Sequence, residues 1–120
     1  MAVVLLSGDL MGASRVEGAA RMASVEFRMV GNIDAAVECC AAQPVALVMV
    51  DLATAGLDVA ALVERLKGRS NHVPAIVAFG PHVHDEMLTA AKQAGCDQVL
   101  SRGQFMSRAG EIISRYSTNK

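Results

Sequence analysis

The sequence predicts a doubly wound α/β domain, a five-stranded parallel sheet with helices on both faces. Three observations lead there. Five short apolar runs recur along the chain, segments of helical period separate them, and four of the five runs are nearly continuous in apolar character. Strands covered on both faces read this way, because neither side of the pleat meets water. At 120 residues the chain suits one domain, so residues 1–120 are expected to form a single domain with no second one attached. Its composition is 52% apolar but only 3% aromatic, with seven Met and no Trp, as fits a layered core of small branched side chains.

The first strand is AVVLL at 2–6. A small-residue helix follows over 11–23, carrying Met11, Arg15, Ala19 and Met22. Gly12 and Gly18 lower its helix propensity but allow close approach, either to the sheet or to a partner. The second strand, VEFRMV at 25–30, alternates Val25, Phe27 and Met29 with Glu26 and Arg28, which places it at a sheet edge. Asn32 is a suitable N-cap for a helix over 33–42. The third strand is VALVMV at 45–50. A helix over 58–67 presents Val59, Leu62, Val63 and Leu66 on one face and stops at Gly68. VPAIVAF at 73–79 is the fourth strand. The helix over 84–94 turns Met87, Leu88 and Ala91 inward and ends at Gly95. QVLS at 98–101 is the fifth strand, and a last helix over 105–116 buries Phe105, Ile112, Ile113 and Tyr116.

Five strand–helix units give a doubly wound parallel sheet with right-handed crossovers, and the strand order expected of it is the flavodoxin-like 2-1-3-4-5. Chemistry in such sheets sits beyond the carboxyl ends of the strands, at the switch point beside strands 1 and 3. The apolar run Val45 to Val50 ends there in one carboxylate, Asp51.

Several function classes are disfavoured. A net charge of −1 and the lack of any basic run argue against broad binding to nucleic acid or a membrane surface. Cys39, Cys40 and Cys96 form neither a disulfide framework nor a CxxC metal site, as expected of a reducing cytoplasm. The apolar start is too short for a signal segment, and no stretch approaches a membrane span. His82 and His84 share a face only on a strand and have no third ligand placed by the sequence. SGDLMG at 7–12 lacks the glycine spacing of a phosphate loop.

Over its whole length the chain resembles the receiver domains of two-component response regulators. Asp51 stands where that family carries its phospho-accepting aspartate, and DLATAGLD has the spacing of the segment after it. VPAIVAFG resembles the fourth strand with its leading proline, here Pro74. AAKQAGCDQVLSRGQF resembles the end of helix 4 and the fifth strand. The resemblance implies a signalling module rather than an enzyme, cytoplasmic, with other signalling proteins as partners, a histidine kinase among them.

The chemistry departs from that pattern. The family's paired acidic residues after strand 1 fall on Ser7 and Gly8, leaving only Asp9 one step on. Magnesium favours several hard oxygens, so Asp9 with Asp51 is expected to hold it poorly, and no resident cofactor is expected. The hydroxyl residue at the end of strand 4 falls on Phe79, in the space that hydroxyl would enter. The family's lysine falls on Arg102, which is expected to pair bidentately with Asp51 and mimic a neutralised site. The aromatic switch position falls on Val99, and the proline after the lysine on Gly103.

The reading is therefore a stand-alone receiver-like module with a degenerate phosphorylation site, acting through protein contacts. By analogy its partner surface is the helix 4–strand 5–helix 5 face, with Met87, Lys92, Gln98, Phe105 and Met106, and homodimerisation there is one arrangement it allows. The alternative is a working single-domain response regulator phosphorylated on Asp51. A flavodoxin-like small-ligand binder is a third reading, for which the sequence supplies neither an aromatic stacker nor a phosphate loop.

Overall fold

The computed structural model describes residues 2–68, 73–81, 83 and 85–117. In chain order the elements are β1 (Ala2–Leu6), α1 (Leu10–Met22), β2 (Glu26–Val30), α2 (Ile33–Ala42) and β3 (Val45–Asp51), then α3 (Val59–Lys67), β4 (Ala75–Gly80), α4 (Asp85–Ala94), β5 (Gln98–Ser101) and α5 (Arg102–Ser117). All strand pairs are parallel, in the order β2-β1-β3-β4-β5. His82 and His84 lie outside the described residues.

The pleat divides the core in two. Ala2, Val4, Leu6, Val48, Val50, Ile76 and Ala78 point to the side of α2, α3 and α4, meeting Leu62, Val63, Leu66 and Ala91. Val3, Leu5, Leu47, Met49, Val77 and Phe79 point to the other side, against α1 and α5, meeting Val16, Ala20, Phe105, Ile112 and Ile113. Side chains alternate along a strand, so Asp51 shares the face of Leu47 and Met49 and looks toward α1 and α5. Each large apolar side chain fully buried in these layers contributes about 1.5–3 kcal/mol.

Caps set the helix starts. Asp9, Asn32 and Asp58 accept from Met11, Ala35 and Ala61 backbone N–H groups at 3.1, 2.8 and 3.1 Å, each satisfying an otherwise orphaned donor. The largest departure from the sequence expectation is α5, which begins at Arg102 rather than 105. The reason is a capping box: Ser101 Oγ accepts from Gln104 N–H at 3.2 Å, and Gln104 Oε1 accepts from Ser101 N–H at 3.1 Å. It starts the helix immediately after β5 and makes Arg102 its first residue.

Candidate functional site

Three chain segments converge at the carboxyl ends of β1, β3 and β5. From β3 comes Asp51, 3% exposed and anchored by the chain around it. Its Oδ1 accepts from the Ala53 N–H at 3.0 Å, and its carbonyl accepts from Thr54 Oγ at 2.7 Å. Ser7, following β1, is equally buried and donates its hydroxyl to Asp51 Oδ2 at 2.7 Å. The same hydroxyl accepts from the Asp9 N–H at 3.0 Å. Position 7, read from sequence as a lost acid, thus becomes a neutral donor to the aspartate.

The third segment brings a cation. At the first turn of α5, Arg102 reaches across the strand ends and pairs with two carboxylates. Its Nη2 donates to Asp9 Oδ2, and its Nη1 lies 3.6 Å from Asp51 Oδ2. The expected bidentate pairing with Asp51 alone is therefore corrected: the two guanidinium nitrogens serve different carboxylates. A cation at a helix N-terminus opposes the helix dipole, and two anions facing it offset that cost. Two carboxylates and one guanidinium leave the cluster with a net negative charge.

Phe79 floors this arrangement. It is Asp51's register partner on β4 and faces the same side of the sheet. Its ring is buried and stacks on Phe105, with centroids 4.0 Å apart and planes 5° from parallel. The guanidinium carbon of Arg102 stands 5.8 Å from the Phe79 ring centroid, within cation–π range. Phe79 therefore belongs to the α1–α5 side of the core and presents a ring to Arg102, where a hydroxyl would offer a hydrogen bond.

Magnesium is the ion such a fold implies, and this donor set does not fit it. Asp9 gives one oxygen to Arg102 and the other to the α1 cap. Both Asp51 oxygens accept hydrogen bonds, and Ser7 and Gly8 add no charge. Among the described residues, no group of three or more His, Cys, Asp or Glu side chains could hold a metal. The guanidinium supplies the positive charge between the carboxylates. A shallow cleft of about 400 Å³ remains, lined by Gly8, Asp9, Asp51, Ala53, Thr54, Ala55 and Arg102.

Of the residues expected on a partner surface, Phe105 is the one the structure takes off it. Phe105 is fully buried and stacked on Phe79, as expected of the helix that carries it, and so is not available to a partner. Met106 is half-buried on the α1 side of α5, and Met87 is half-buried in a groove with Leu52, Leu57, Val59 and Ala90. Lys92 is exposed on α4, while Gln98 and Val99 are half-buried on β5, with Val99 packed toward the α2–α4 side. Two site features escaped the sequence reading: the Ser7 hydroxyl bond and the SRGQ capping box that aims Arg102. The Ser-x-x-Gln spacing was a legible signal for the second.

No family model matches the chain and no curated protein matches its sequence. Solved structures do match. The receiver domain of a DNA-binding response regulator from Colwellia psychrerythraea is 13% identical, with a TM-score of 0.81 and 99% of both chains covered. The receiver domain of a sensor histidine kinase from Pseudomonas aeruginosa, described with magnesium coordinated in its active-site cleft, is 18% identical, with a TM-score of 0.80 over 98% of this chain and 97% of that one. The receiver domain of a Saccharomyces cerevisiae response regulator, crystallised with a histidine phosphotransfer protein, is 14% identical, with a TM-score of 0.71 over 95% and 91%. The chain has the fold of a response-regulator receiver domain, with an aspartate at the end of β3 and an arginine clamp across the strand ends beside it.

Proposed function

We propose that the chain is a receiver-type signalling module whose phospho-acceptor position is silent and which acts by binding other proteins. One observation carries this reading: the Arg102 guanidinium spans Asp9 and Asp51, where the metal-dependent chemistry would need a divalent ion. Phosphoryl transfer relies on positioning and charge stabilisation, with the metal neutralising charge that develops on the transferred group. A guanidinium donates N–H groups but offers no coordination site, so it does not bind an incoming phosphoryl oxygen and Asp51 to one centre as a divalent ion would. The partners are other signalling proteins, a histidine phosphotransfer protein or kinase among them; the yeast neighbour's complex is the model for such a contact.

The open cleft at Asp51 favours a second reading, a working single-domain regulator phosphorylated there. Magnesium titration followed by backbone amide NMR separates the two. A silent site predicts no saturable shift of the Gly8, Ala53 and Thr54 amides at millimolar magnesium. Saturable shifts confined to those amides would establish a metal site and favour the working regulator.

A further inference from the structure

Gly12, one turn into α1, sits against the clamp. A Cβ there would lie 2.9 Å from Asp9 Oδ2, 3.1 Å from Arg102 Nη2 and 3.1 Å from Met106 Cε. All three are side-chain ends, so an alanine would not break the backbone fold; it would push on the ion pair. Asp9 would yield at the expense of the α1 cap, because its other oxygen accepts from the Met11 N–H. Gly18, on the same helix, would meet nothing within 4 Å. Helix propensity penalises both glycines alike, yet only Gly12 faces a group that a side chain would displace.

We propose that Gly12 is the positioning residue of the clamp: its missing side chain makes the space in which Arg102 joins Asp9 to Asp51. This rests on the silent-site reading above and says what holds that site closed. Arg102 must cross from the start of α5 to the start of α1, and α1 admits it only at the position without a Cβ. Met106 fills the space beside it from the next turn of α5, so the clamp and the α1–α5 contact are built together.

The test compares Gly12→Ala with Gly18→Ala, each alone and combined with Arg102→Gln. Gly18→Ala raises the melting temperature by about 2–6 °C, the ordinary gain from alanine in a helix of a domain this size. Gly12→Ala shows a smaller gain or a loss, and the Arg102 guanidinium NMR signals, expected to be resolved and slowly rotating in the wild type, broaden or vanish. In the Arg102→Gln background Gly12→Ala recovers the gain seen at position 18, which a packing role unrelated to the arginine would not produce. Equal gains at 12 and 18 with unchanged Arg102 signals overturn the proposal. Phosphorylation of wild-type Asp51 would overturn the silent-site reading instead, leaving these melts and spectra to decide the role of Gly12 separately.

Discussion

Arg102 and Phe79 act on Asp51 by different physics. The Arg102–Asp9 pair is only partly buried, with side-chain exposures of 36% and 38%. In such a setting an ion pair adds about 0.2–1 kcal/mol, so its value lies in occupying the site more than in holding the fold. Phe79 is the reverse: besides the ring face it presents to Arg102, it fills the core beneath the site. Truncation as Phe79→Ala should cost about 3–5 kcal/mol by urea denaturation, from lost burial and the cavity left against Phe105. A loss under about 1 kcal/mol would show that the site collapses easily and that the ring is not a fixed floor. At this scale the sequence was partly legible. It showed that Phe79 removes a hydroxyl, but the ring's direction depends on strand parity and on Phe105. The role of Ser7 was hidden because an apparently missing acid gave no hint of a buried donor.

Element boundaries follow from local chemistry, and most were readable. Continuous apolar runs marked β1, β3 and β4, alternation marked the β2 edge, and Asn32 capped α2 as its side chain requires. The start of α5 was misplaced because the apolar period begins only at Phe105, whereas the helix is set by the polar box Ser101–Gln104. The α4–β5 junction carries a further consequence. Burial, then Asp97, pushes the Cys96 thiol up from 9.0 to about 11, with Lys67 pulling the other way. Between these values the unfolded chain has lost a proton that the native chain keeps. The native state then binds more protons, so this group's contribution to stability falls as pH rises from about 9 to about 11. Denaturation midpoints across that window should decline more steeply for the wild type than for Cys96→Ala; parallel curves would contradict the shift.

For the whole molecule, topology makes the site. The order β2-β1-β3-β4-β5 brings the ends of β1, β3 and β5 near enough for one guanidinium to meet carboxylates contributed by the other two. Five apolar runs and right-handed crossovers imply a doubly wound sheet, whose flavodoxin-like order was the one expected, which is why the site's location was legible from sequence. The clamp's geometry was not, because it pairs Arg102 with Asp9 and with Asp51, residues far apart in the chain whose pairing no local pattern encodes. Among the described residues no helix is long and apolar enough to cross a membrane. If the clamp keeps Asp51 from accepting a phosphoryl group, intact mass after incubation with acetyl phosphate and magnesium, beside Asp51→Asn and Arg102→Gln, should show it. No phosphoryl adduct is expected on folded wild-type protein. An adduct on the wild type that is absent from Asp51→Asn would contradict it and make this a working response regulator.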